Sequence, residues 1–211
     1  MKWLISVGLL LVLVVTGLLM APSFYDWNQY KQPAIEQIKA TTGYDVAING
    51  DISLALLPSP RVYAEQVRIE DPKAAGAEGA PPFLAFDLLD VRVALMPLIS
   101  GKVSITSVNL NTPQIYVSQD AQGEFNFMTE ELKALSEGDA EAEPTQASSQ
   151  EFDISFDTIR IYEGTVTYAT PDQPQPLKLE NITVVANGQG LNGPFDVSGS
   201  LINNGRKLGF E

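Results

Sequence analysis

The sequence predicts a mainly β protein: an N-terminal transmembrane helix and a short amphipathic helix, then an elongated antiparallel sheet. Three observations lead there. The first residues form one long apolar run. From Gly43 onward, apolar and polar residues alternate with period two, as in strands with one greasy and one wet face. A two-part unit also recurs along the chain, and repeats of one supersecondary unit build elongated sheets.

Leu4 to Met20 is nearly all apolar, and Lys2 is the only charge before Asp26. A run of about 20 apolar residues is long enough to cross a bilayer as a helix. Lys2 before it and Asp26 after it orient the N-terminus to the cytoplasm and the body outside. A signal peptide cut near Ala21-Pro22-Ser23 is the competing reading. The run, however, exceeds the usual h-region of about 7–15 residues. Residues 1–25 are therefore read as an anchor and 26–43 as a juxtamembrane helix. Asp26 caps that helix and Gly43 stops it; Pro33 marks a kink or a second start.

Residues 44–211 are read as the β body. GYDVAINGDISLALLPSP (Gly43–Pro60) alternates on both sides of Asn49-Gly50-Asp51. A three-residue hairpin loop would pair Ile48 with Ile52 and Val46 with Leu54, which keeps one apolar face. Val62, Ala64, Val67 and Ile69 mark a third strand. Phe83 to Leu95 forms another, with Val91, Val93 and Leu95 in phase. Met96 to Gly101 reads as a turn. Val103–Val117 and Ile154–Tyr168 read as hairpin-like segments, and Leu177–Ala186 and Phe195–Ile202 complete the series. The insert 129–151 is acidic and poor in apolar residues beyond Leu135. It is read as flexible after a short helix at Met128–Leu135.

SVNLNTPQIYV (Ser107–Val117) and TIRIYEGTVTY (Thr158–Tyr168) align without gaps. Each reads polar, apolar, polar, apolar, two variable residues, Pro or Gly, one variable residue, then an alternating strand. Gln66-Val-Arg-Ile69 and Asn181-Ile-Thr-Val184 repeat part of the unit.

Composition narrows the function. The 211 residues carry a net charge of -13, with no His and no Cys. Phosphate-backbone binding needs clustered basic residues, so nucleic acid is not an expected partner. Cys and His nucleophiles, His bases and the usual zinc sites are removed together. Glu70 with Asp71, and Asp87 with Asp90, are read as loop and surface charges. Asn181-Ile-Thr183 is a weak glycosylation match. No catalytic residue, cofactor or metal site is expected, and the chain is read as a non-enzyme.

What remains is the apolar face. One hairpin carrying Tyr44, Val46, Ile48, Ile52, Leu54 and Leu56 needs cover worth on the order of 10 kcal/mol, at roughly 1.5–3 kcal/mol per large side chain. A second sheet, a helix or a lipid could each supply it.

At these residues the chain resembles the AsmA family of bacterial envelope proteins. The resemblance rests on the N-terminal run and on Phe24–Asp71 with its Thr-Gly, Asn-Gly-Asp and Leu-Leu-Pro-Ser-Pro. It continues through Ala94–Val117 and Phe156–Ala169. It implies a single-pass inner-membrane protein whose periplasmic sheet curves into an apolar groove. It implies phospholipid transport between inner and outer membrane and support of outer-membrane assembly. The implied partners are phospholipid acyl chains, the inner membrane and outer-membrane assembly proteins. On that implication the groove floor takes in Tyr44, Val46, Ile48, Ile52, Leu54 and Leu56, then Val91, Val93, Leu95, Val103 and Ile105. Family members are usually longer, so the chain reads as an N-terminal part of a larger protein. The alternative is a membrane-anchored scaffold with a dry β core that binds assembly factors.

Overall fold

A computed structural model describes residues 2–20, 22, 25–57, 59–74, 79–99, 104–133, 157–188 and 194–211. Helix α1 spans Lys2–Met20. Among the described residues, no helix is long and apolar enough to cross a membrane. A 3-10 turn follows at Trp27–Tyr30, where the Asp26 carboxylate accepts from the Asn28 amide. Helix α2 spans Lys31–Thr42 and stops at Gly43, which takes the left-handed conformation that glycine tolerates. Within the acidic insert, residues 130–133 are helical, and the Thr129 hydroxyl accepts from the Leu132 amide. The rest of the insert lies outside the described residues.

The strands are β1 (Val46–Ile48), β2 (Ile52–Ala55), β3 (Arg61–Ile69), β4 (Leu84–Val93), β5 (Ile105–Asn111), β6 (Gln114–Ser118), β7 (Thr158–Ala169), β8 (Leu177–Gly188), β9 (Phe195–Asn203) and β10 (Arg206–Phe210). All ten lie in one mixed sheet. A short helix, α3, follows β4 at Leu95–Ile99.

The predicted first hairpin does not form. Both β1 and β2 pair with β3 in tandem, Ile48 opposite Val67 and Ile52 opposite Ala64. Asn49-Gly50-Asp51 is a bulge held onto β3. The Asn49 amide donates to the Gln66 carbonyl (3.0 Å) and the Gly50 amide to the Glu65 carbonyl (3.1 Å). A Cβ at Gly50 would sit 2.6 Å from the Glu65 Cβ, so only glycine admits this approach. One long partner strand thus outcompetes a local turn.

The sheet is also not purely antiparallel. β7 runs parallel to β5 and β6. The long connection after Ser118 lets the chain return and start β7 level with β5, Thr158 opposite Ser107. The parallel register reproduces the gapless alignment of the two repeat units. Each unit is one interrupted strand rather than a hairpin. Leu95 belongs to α3, not to a strand. The Ala94 amide bonds the Ser104 carbonyl and closes the ladder. Pro97, which has no N–H to give a ladder, fits the first turn of a helix.

A line of left-handed residues crosses the sheet. Gln66, Thr112, Glu163 and Asn181 have φ near +50°. Their strand partners place them, with Asn49-Gly50, at nearly one level. Thr112 donates its hydroxyl to the Asp87 carboxylate on β4 at that level. Such a conformation costs roughly 1–2 kcal/mol at a non-glycine residue. Its use follows from parity. The apolar positions nearest the line are three apart: Ala64 and Val67, Phe86 and Leu89, Leu110 and Pro113, Ile161 and Gly164, Leu179 and Ile182. In a regular strand an odd step reverses the facing. At Gly164 a Cβ would lie 3.1 Å from Ile161 Cγ2 and 3.4 Å from Ile182 Cβ, so both sides of the step face the same way. The line lets both sides of the step share a face on the strands that carry it; β4 crosses the level without a left-handed residue.

Candidate functional site

The candidate site is that face. On one side of the line, Leu54, Val62, Val91, Val108, Ile159 and Ala186 lie opposite one another strand by strand. Ala64, Leu89, Leu110, Ile161 and Val184 form the next row. On the other side run Ile48, Val67 and Phe86, then Ile69, Leu84, Ile115, Val166 and Leu179. The opposite face of the sheet carries Arg61, Asp90, Arg92, Asn109, Arg160, Gln114, Thr165 and Lys178.

Among the described residues, little covers the apolar face. Beyond neighbours within the sheet, the main contacts of the strands with other elements are α2 on β1 and the 3-10 turn on β2. These pack against an edge strand. There the Ile52 amide donates to the Asn28 side chain (3.0 Å) and Lys31 lies 3.9 Å from Asp51. Among the described residues, Val67, at 6 % exposure, is the single apolar strand residue in the buried class. The others keep partial contact with solvent, and Val62, Phe195, Val197, Leu208 and Phe210 are exposed.

The predicted floor residues divide. Val46 and Ile48 on β1, Ile52 and Leu54 on β2, and Val91 on β4 take places on this face. Val93 ends β4 beyond a register shift, opposite Ile105, and its amide bonds the Pro60 carbonyl (2.8 Å). Leu56 lies just past β2, half-buried. Leu95 is helical, and Val103 lies outside the described residues. Tyr44 is not on a strand. Its ring stacks on Phe83 at 5.6 Å and its hydroxyl donates to the Phe127 carbonyl. Phe83 continues to Phe127 and Phe127 to Phe125. Burial, then the nearby Asp71 carboxylate, raises the Tyr44 pKa, so the phenol remains a donor.

This aromatic stack belongs to a closed end of the sheet. Asn126, 2 % exposed, donates to the Asp71 carboxylate (2.8 Å) and to the Tyr116 carbonyl (3.0 Å), and accepts from the Ser118 amide (2.9 Å). Asp71 also accepts from the Lys73 and Ala74 amides. The Thr129 hydroxyl donates to the Thr42 carbonyl, tying α2 to the same end. Outside, Lys73 bridges Asp120 (2.9 Å) and Glu124 (3.1 Å), and Lys133 bridges Glu124 and Glu130. The Lys73 contact holds both the Asp120 and Glu124 carboxyls below their ordinary range. The carboxylates paired in the sequence have separate structural duties: Asp71 in this network, Asp87 at Thr112 and Asp90 on the polar face.

The rows contributed by Val62, Ala64, Leu89, Val108, Leu110, Ile159, Ile161 and Val184 escaped the sequence-based floor. For Val108, Leu110, Ile159 and Ile161 the repeat unit held the signal, because its apolar positions before the Pro or Gly are these residues.

The AsmA family model matches residues 2–206. Protein AsmA of Escherichia coli (strain K12) is 22% identical over 209 residues, covering 98% of this chain and 32% of that relative. The chain thus spans about a third of the length of the relative it matches. A family match across nearly the whole chain, on a sheet built from the repeat unit, establishes that the chain belongs to the AsmA family.

Proposed function

We propose that the apolar face carries phospholipid acyl chains, and that the chain supports phospholipid transport between inner and outer membrane and outer-membrane assembly. The observation that carries this reading is one apolar face running through a ten-stranded sheet with no second layer packed on it among the described residues. Each CH₂ taken from water is worth about 0.8 kcal/mol. A lipid tail lying on this surface satisfies what a missing sheet would, and a uniform floor lets it slide without a deep trap. In this reading the face is the floor of a groove whose headgroup side stays wet.

In this reading α1 anchors the chain in the inner membrane, with the body periplasmic. The described α1 side chains Trp3, Ile5, Val7 and Leu9 to Val14 are apolar and exposed. Tyr25, Trp27 and Tyr30 cluster just beyond the helix, with centroids 5.1–6.4 Å apart. Aromatic rings of this kind favour the membrane–water interface. Family membership points to the same envelope setting.

Photocrosslinking tests the reading. The full chain with a crosslinker at Val91 captures phospholipid in membranes, and one at Asn109 on the polar face does not. Equal capture at both positions, or none at either, removes the acyl path. One observation favours a second reading, a scaffold that adds a partner strand. Among the described strands β10 pairs on one side alone, with β9, and all its residues are exposed. Open edges invite strand addition. Protein crosslinks from Lys207 with no lipid at Val91 would select the scaffold.

A further inference from the structure

The polar face concentrates positive charge in a chain of net charge -13. Four of its five arginines share that face: Arg68, which pairs with Glu70, and on one side of the line Arg61, Arg92 and Arg160 on β3, β4 and β7. Arg61 stands directly opposite Arg92. Like charges at such positions destabilise a sheet.

Glu65 shares the face opposite Leu88, and the carboxylate that lines the cavity between the arginines, Asp90, does not balance them. Asp90 is 8 % exposed, and its Oδ2 accepts from Arg92 Nη2 and Asn109 Nδ2, each at 3.4 Å. Its Oδ1 has no partner, nor has Arg61 Nε, although both are shielded from solvent. The Arg61 guanidinium lies instead 5.1 Å from the Tyr63 ring. Arg160 forms no ion pair among the described residues. A network built for stability would close these pairs. This one keeps guanidinium donors in reserve.

The donors converge. A shallow cavity of about 310 Å³ is lined by Asp90, Arg92, Asn109, Asn111, Arg160 and Tyr162, with Leu88 at its side. Guanidinium, carboxamide and phenol all offer N–H or O–H, and planar guanidinium groups match phosphate oxygens in pairs.

We propose that this dish binds a phosphate group, carried by a free phosphate ester or by a lipid headgroup. Arg92 and Arg160 contact the phosphate oxygens, and Asn109 and Tyr162 add donors. Asp90 positions Arg92 and Asn109, and Arg61 adds to the field. The site faces away from the acyl path and does not depend on it.

The test is calorimetric titration of the detergent-solubilised full chain. The probes are inorganic phosphate, dihexanoyl phosphatidylglycerol and dihexanoyl phosphatidylcholine. The expected result is saturable, salt-weakened binding of phosphate or of the phosphatidylglycerol. It falls about tenfold or more in Arg92→Gln and Arg160→Gln, the loss of a charged hydrogen bond, and holds in Arg206→Gln on β10. Phosphate binding identifies a free ester as sufficient. Phosphatidylglycerol binding without phosphate binding, and above phosphatidylcholine, identifies the headgroup. Arg92→Lys keeps the charge without the fork, so intermediate affinity there separates recognition from damage to the fold. No saturable binding of either anion, or equal binding in Arg92→Gln and Arg206→Gln, overturns the site.

Discussion

The two halves of the sheet, on either side of the left-handed line, solve the same problem differently. Towards the closed end, apolar residues meet a loop. Val67 is buried, four aromatic rings stack, and Asn126 satisfies three partners at once. In the other half, Val91, Val108 and Ile161 present the same chemistry in the same register, and no described element lies over them. The strand pattern alone does not distinguish the halves. What differs is whether a later segment returns to cover the face. Among the described residues, buried contacts are therefore concentrated at one end, and the proposed lipid path belongs to the other.

Substitutions of opposite expected effect can break this contrast. Val67→Asp places an unpaired charge between Ile48 and Phe86 and should cost about 4 kcal/mol or more. Urea denaturation measures it, and a small shift would mean the closed half is not closed. Asn126→Leu strands the buried Asp71 carboxylate and the Ser118 amide, for about 3 kcal/mol by the same measurement. Gly50→Ala drives a Cβ into the Glu65 backbone, which lies 2.8 Å away, and should cost about 2 kcal/mol. Gly205→Ala meets no neighbour and strains only its φ of +76°, for about 1 kcal/mol. Equal effects at the two glycines would deny the bulge its close approach.

Val91→Asp sharpens the contrast from the other side. In the uncovered half it should shift the denaturation midpoint by less than about 1 kcal/mol while removing lipid capture. Unfolding by this charge would show that the half has a dry core. The smallest effect is acid sensitivity at the closed end. The Asp120 and Glu124 carboxyls are held low by Lys73, so their contribution is complete above the ordinary carboxylate range. It is lost as pH falls through their depressed values. Hydrogen exchange at residues 119–133 should rise over that interval, and Lys73→Met should reduce the change, leaving the part that Lys133 and the backbone amides supply.

Two Asn-Gly pairs show how far the sequence reaches. Asn204-Gly205 forms the two-residue turn its chemistry favours, both residues left-handed and Asn203 opposite Arg206. Asn49-Gly50 has the same local preference and becomes a bulge, because β3 is long enough to pair with both flanking strands. Turn chemistry is local, whereas the choice of partner is not. The same limit explains β7. The alignment of Ser107–Val117 with Thr158–Tyr168 was legible, and it is the observed register, but alignment does not say that two repeats lie side by side in parallel. Strand existence and the apolar parity of the face came from alternation. Tyr44 was misplaced because alternation assigns a parity to a residue that sits before its strand and stacks on a ring 39 positions away.

The left-handed line also bears on how the sheet assembles. A strand that docks one residue out of level puts its own left-handed residue beside a neighbour's regular stretch. Its apolar set then turns to the wet face on both sides of the line, and its left-handed residue no longer meets those of its neighbours. Such a docking mismatches facing and backbone shape together. The line is thus a shared datum that fixes the level of the strands that carry it.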